Sequence, residues 1–400
     1  MLNRKSLGIL CTVLAMVALL STCCFAETRG VTKDSVKMGM IMVKTGPVAA
    51  LGLPYGWGTE DVFRQASEKG GINGRKIELF WEDDQFKTPN AIAQFKKLLF
   101  TDNVLTIVTC GGTPQTIALM DLIQEYKVPN IPNALTEEMY NPYRPYMFIF
   151  GAAYEAQIDI MFDYIMEDLK AKNPKIAVVY AETEFGKKGL EAARKRAQQY
   201  GLKLEAEQVL NIGTVDASSQ VLALKKAGVD YVVTCNLVPP IITFLRDAEK
   251  FDYKPTVFGI NWSCDDMVIN ACKTAANNYY GVSFVGGWED NSPGMAKVRE
   301  LAKKYNRDPK KMLTSLYTSG AAVGLLFEEG LKRAGTDLTP ESLKSALETL
   351  NNYDLAGIMP PVTYTSTSHA PQNKCKIYKA DVPAGTMKPV TDWREPKVMK

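Results

Sequence analysis

From Val36 onward, short apolar runs alternate with longer amphipathic ones, and no other feature limits the available folds as tightly. Candidate strands are "VKMGMIM" (36–42), "KIELFWED" (76–83), "VLTIVTC" (104–110), "YMFIFG" (146–151), "KIAVVYA" (175–181), "YVVTCN" (231–236), "TVFGIN" (256–261) and "YGVSFVG" (280–286). Helical patterns such as "TPNAIAQFKKLLF" (88–100), "YEAQIDIMFDYIMEDLK" (154–170) and "FGKKGLEAARKRAQQYG" (185–201) lie between them. Continuous apolar strands separated by helices predict parallel sheets covered on both faces, the doubly wound α/β class. The runs before residue 150 and those from 175 to 286 are each long enough for a sheet of their own. After Asn291 the chain reads as helical, with Thr339-Pro340 as N-cap and first helical residue. Two βα halves and a helical return imply two lobes joined by several crossings.

The first 26 residues read as an export signal. Arg4 and Lys5 precede an uncharged apolar run from Leu7 to Leu20, and small residues lead to Ala26. That run falls short of the roughly 20 residues needed to span a bilayer. Cys23, after Leu20-Ser21-Thr22, offers a second reading as a lipid-anchor site. A net charge of +3 from 47 basic and 44 acidic residues gives no reason to expect nucleic acid or an anionic membrane as partner. Of the eight cysteines, those past the signal are odd in number and scattered, which argues against a disulfide-stapled scaffold. Cys264 and Cys272 would pair only if a turn brought them together, since eight residues of helix separate them by about 12 Å.

Catalytic chemistry lacks its usual residues. His369 is the only histidine and sits in a polar loop, so a histidine metal site is excluded and a Ser-His-Asp triad would hang on that one residue. "EFGKKG" lacks the upstream glycine and the Ser or Thr of a phosphate-binding loop. The fifteen residues "GGINGRKIELFWEDD" (70–84) place three carboxylates, Glu82, Asp83 and Asp84, at the end of a strand. With no neighbouring ligand set, they read as fold punctuation. Gly70-Gly71 ends a helix, Asn73-Gly74 turns the chain, and Thr88-Pro89 starts the next helix. The expectation is no catalytic residue, no metal and no cofactor.

Small, hydroxyl-bearing or aromatic residues recur just after predicted strands, in "TCGGTPQT", "NALTEE", "GAAYEAQ", "AETEFG", "CNLVPP" (with Asn236) and "INWSCDD". In open α/β sheets ligands bind at that carboxyl edge, near helix N-termini. Six such loops in two lobes predict a cleft.

At these positions the chain resembles bacterial solute-binding proteins of the branched-chain amino acid (leucine/isoleucine/valine) type, which feed ABC importers. The resemblance rests on "VKMGMIMVKTGPVAALG", "GGINGRKIEL", "EDDQFKTPNAIAQFKKLL", "VPNIP", "KIAVVYAETEFGKKGLE" and "LKKAGVDYVV", in the family's order. It implies the type I periplasmic binding protein fold, with two Rossmann-like lobes and three hinge crossings near 151–153, 284–287 and 357–361. Lobe 1 would hold 34–152 and 286–357, and lobe 2 would hold 153–285 and 358–400. It also implies a monomer working in the periplasm, with a small-molecule ligand and a membrane permease as partners. Gly112 and Thr113, then Ala134, Leu135 and Thr136, would meet a ligand carboxylate. Leu51, Tyr55, Tyr154, Phe185 and Trp262 would pack on the ligand, with Trp57 close behind Tyr55. Asn261 stands where similar amino-acid binders place an acidic side chain for the ligand ammonium. A buried ammonium without a carboxylate is costly, so two ligand classes stay open: an amino acid, or an aromatic or aliphatic acid or amide without an ammonium. The same fold serving as an extracytoplasmic sensor domain is a further reading, and an exported enzyme with two carboxylates facing one cleft is another.

Overall fold

A computed structural model describes residues 28–399; the export segment, with Cys23 and Ala26, lies outside them. No described helix is long and apolar enough to cross a membrane. In the first lobe, β1 (Ser35–Ile41), β2 (Lys76–Glu82) and β3 (Thr106–Cys110) form a parallel sheet in the order β2-β1-β3. Helices α1 (Ala49–Glu68), α2 (Thr88–Phe100) and α3 (Thr113–Glu125) follow these strands in turn. Helix α4 (Tyr154–Asp163), extended by a π-turn to Asp168, leads into the second lobe.

The second sheet contains the parallel strands β4 (Ile176–Tyr180), β5 (Ala206–Val209), β6 (Tyr231–Cys235), β7 (Thr256–Gly259) and β8 (Tyr279–Ser283). Their connecting helices are α5 (Glu184–Gln199), α6 (Ser218–Ala227), α7 (Val238–Lys250) and α8 (Asp266–Cys272). The chain then returns through α9 (Pro293–Lys304), α10 (Thr314–Ala334), which packs along α1, and α11 (Pro340–Leu347). It closes the second sheet with antiparallel β9 (Lys376–Asp381) and β10 (Thr386–Pro389), giving the order β10-β9-β8-β7-β6-β4-β5. In both sheets the first strand lies between the second and third, so each lobe has a switch point where ligand crevices form.

Local chemistry matches most of the expected punctuation. Gly70 and Gly71 end α1 with φ of 103° and 82°, and Asn73-Gly74 forms a tight turn with φ of 50° and 80°, across which Ile72 pairs with Arg75. Thr339 and Ser342 cap α11 reciprocally. Thr88, however, is the first residue of α2, and Lys87 occupies the cap without a side-chain bond. Residues 146–151, expected as a strand, make one bridge, Met147 with Asn130. Further along, the Ile149 N–H donates to His369 O at 3.1 Å, so no ladder forms. The strands β5, β9 and β10 were not anticipated because their sequences are short and partly polar. Cys110, Cys235, Cys264, Cys272 and Cys375 are all free and buried, so Cys264 and Cys272 do not pair.

The first two crossings adjoin one another: Phe150 meets Phe284 edge to face at 5.2 Å, and a Cβ on Gly151 would sit 2.3 Å from that ring. Past the stretch 357–361, where the third crossing is expected, Tyr364 and His369 still touch residues 148–149. Tyr364 donates through its hydroxyl to Ile149 O at 3.2 Å, and the His369 ring stacks on Phe148 at 3.8 Å, which keeps this loop on the first lobe. Pairing with the second sheet resumes at Lys376.

His369 is thereby buried, with Nε2 at 3.1 Å from Glu348 and Nδ1 at 3.0 Å from Met147 O. Burial holds its imidazole below the ordinary 6.5, outweighing the Glu348 carboxylate. Below about pH 6.5 the unfolded chain therefore binds a proton that the folded chain resists, and stability falls as pH drops through that range. We expect H369Q to lower stability by about 1–2 kcal/mol at neutral pH and to flatten the fall in melting temperature between pH 6.5 and the folded-state value. Thermal melts across that range check it.

Candidate ligand-binding site

The loops at the carboxyl ends of both sheets meet around one cavity of about 70 Å³, on a measure where a single water needs about 10–15 Å³. From the first lobe, Met42 and Val43 follow β1, Asp84 and Phe86 follow β2, and Gly111, Gly112 and Thr113 follow β3. From the second, Thr183 and Phe185 follow β4, Ile212 follows β5, Leu237 follows β6 and Trp262 follows β7. Tyr154, at the start of α4, stands between the two groups.

Seven expected site residues line this cavity: Leu51, Tyr55, Gly112, Thr113, Tyr154, Phe185 and Trp262. The Tyr154 hydroxyl accepts from Trp262 Nε1 at 2.9 Å and lies 3.4 Å from Thr113 Oγ1, which links the lobes at the cavity. Its ring meets Phe185 edge to face at 5.1 Å, and burial pushes the phenol well above its usual range. Thr183 caps α5 by accepting from the Gly186 N–H, which sets Phe185 at the mouth of that helix.

Five expected residues stand behind the wall. Leu135 O accepts from the Tyr154 N–H at 2.8 Å, and Thr136 donates to Glu138; Ala134 is buried beside them. Asn133, one residue earlier, is the lining residue of that loop. Asn236 donates to Leu210 O at 2.7 Å and accepts from the Leu237 N–H, so Leu237 takes the lining place. Asn261 is fixed through its backbone N–H to Gln157 Oε1 at 3.0 Å. Trp57 also stays off the cavity, under the Arg307 guanidinium at 4.8 Å. Asp265 caps α8 and accepts from Ser315 of α10 at 2.9 Å, as expected of a helix N-terminal carboxylate.

Adjacent carboxylates at the end of β2 diverge. Asp83 accepts from the Lys44 and Gln85 N–H groups, both at 2.9 Å, and from Thr45 Oγ1 at 2.6 Å, locking the turn after β1. These bonds hold its carboxyl below the usual range against a desolvation that pushes upward. Asp84 turns to the cavity, fully buried; its Oδ1 accepts from the Phe86 N–H at 2.9 Å. Burial pushes its carboxyl above the usual range. Both carboxylates brace turns, Asp83 the one after β1 and Asp84 its own turn through Phe86, and Asp84 also lines the cavity. Among the described residues no three His, Cys, Asp or Glu side chains gather as a metal site would require.

The model of the family described as "Periplasmic binding protein" matches residues 35–386, and this chain belongs to that family. It is an extracytoplasmic solute-binding protein, not an enzyme. It is 27% identical over 304 residues to "Leu/Ile/Val-binding protein homolog 7" of Brucella abortus (strain 2308), covering 72% of this chain and 75% of that one. A Thermus thermophilus branched chain amino acid ABC transporter protein with bound valine superposes with a TM-score of 0.85 at 24% identity, over 91% of this chain and 97% of that one. A fatty acid ABC transporter substrate-binding protein from Thermomonospora curvata gives 0.83 at 24% identity, over 92% and 94%.

A Cβ on Gly112 would lie 2.6 Å from the Phe86 ring, so a larger residue there must displace that ring of the cavity wall. G112V is expected to weaken binding of the protein's solute by ~10-fold or more, from the altered wall, and to lower the unliganded melting temperature through an overpacking cost of about 1–3 kcal/mol. Calorimetry and melts of the two proteins check it.

Proposed function

We propose that this protein captures a small amino acid, or a related organic acid or amide, between its lobes and delivers it to the permease of an ABC transporter. Lobe closure around the ligand is the signal that the permease reads. One observation carries the reading: a small cavity lies at the carboxyl edges of both sheets, bridged across the lobes by Tyr154. The relatives agree in kind, since one is called a Leu/Ile/Val-binding homolog and one holds valine. Gly112 and Thr113 open the N-terminus of α3, where backbone N–H groups and the helix dipole suit a carboxylate. Leu51, Tyr55, Phe185 and Trp262 form the apolar wall for the rest of the ligand. Ala134, Leu135, Thr136, Asn236 and Asn261 act by holding that wall.

In this reading lobe 1 comprises residues 34–152 with 286 to about 370, and lobe 2 the remainder; the contacts of Tyr364 and His369 support placing the third crossing after them rather than at 357–361. The chain acts as a monomer and leaves the cytoplasm by its first 26 residues, or is held to a membrane by a lipid on Cys23. A second reading, an acid without an ammonium, is supported by the similarity to the Thermomonospora protein and by the apolar wall.

Leucine-like and aromatic amino acids, their deaminated acids and short amides form the screening panel. A true ligand at one hundred times its Kd should stabilise the fold by about 2.7 kcal/mol and be recovered intact after incubation. Absence of stabilisation by every class contradicts the proposal.

A further inference from the structure

The cavity wall carries one formal charge, and it is negative. Among the described residues that line it, Asp84 is the only acidic or basic side chain. Its Oδ2 is buried without a hydrogen-bond partner, and so is the Oδ1 of Asn133 on the same wall. The Tyr55 hydroxyl, also lining the cavity, is a third buried polar atom left open. Buried polar groups in folded proteins nearly always find partners, and a carboxylate oxygen can only accept. The shape of the chain protects this arrangement: a Cβ on Gly111 would sit 2.8 Å from Asp84 Oδ2, so glycine leaves the carboxylate its space.

A ligand with only a carboxylate would enter a site that offers it no cation and a carboxylate of like charge. A ligand with an ammonium would bring several N–H donors to a wall of unfilled acceptors. The α3 N-terminus at Gly112 and Thr113 lies next to the same group, because the Gly111 backbone passes directly by Asp84. An α-amino acid carries its ammonium and carboxylate on one carbon, so it can set the first against Asp84 and the second against α3.

We propose that Asp84 is the partner of an ammonium group on the ligand, doing from lobe 1 what Asn261 in lobe 2 lacks the charge to do. This deepens the binding-protein reading and rests on it. Asn133 and Tyr55 complete the acceptor set, while Phe185 and Trp262 face the rest of the ligand.

Calorimetry of the wild type and D84N with L-leucine, L-phenylalanine and the matching deaminated acids, isocaproate and hydrocinnamate, tests it. The wild type should bind at least one amino acid and bind its deaminated partner at least ~100-fold more weakly. D84N should lose ~100-fold for the amino acid and nothing for the deaminated acid. The amide of D84N can keep the Phe86 bond at Oδ1, so its unliganded melting temperature should be no lower than that of the wild type. Unchanged amino-acid affinity in D84N overturns the assignment, and if it melts lower as well, Asp84 is a structural carboxylate. A wild type that prefers the deaminated acids also overturns it while leaving the binding-protein reading intact. A wild type that binds none of the four contradicts both. The wild-type comparison decides independently of how well the variant folds.

Discussion

Parallel strands all end on one edge, and in this chain two such edges face each other. Seven of the strand-to-helix loops on those edges line the same cavity, so its wall comes from seven loops rather than from one motif. The Tyr154 hydroxyl closes the circuit, taking the Trp262 indole N–H from one lobe and touching Thr113 from the other. The hinge contacts of Phe150 with Phe284 and the His369 loop matter because they set how the edges meet.

Much of this was readable from the sequence for a simple reason. Apolar β-branched runs with helices between them have few alternatives to parallel sheet, and "VKMGMIM", "KIAVVYA" and "YVVTCN" fall on β1, β4 and β6. Turn chemistry was equally direct at Gly70, Gly71 and Asn73-Gly74, where positive φ is required. What escaped was set by tertiary contact. The segment 146–151 has strand composition but exchanges its partner from Asn130 to His369 within a few residues. Strands β9 and β10 exist because β8 offers an open edge to a late, mixed-polarity segment.

The site was legible as an edge and less so as a set of side chains. Sequence places Asp83 and Asp84 together, yet neighbours at a strand end point to opposite sides, so one locks the turn after β1 and the other faces the cavity. The loop 133–136 shows the same uncertainty, with Asn133 on the wall and Thr136 behind it. Asn261 drew attention as a missing carboxylate. The buried carboxylate on the cavity wall lies instead across the cleft, on Asp84.

A structure of the protein crystallised with its tightest-binding solute tests the account most directly. The solute should lie enclosed between the lobes, its polar head against Asp84 and the start of α3, its apolar part against Phe185 and Trp262. A solute bound outside the cleft, or held with its polar head on the second lobe and away from Asp84, would contradict it.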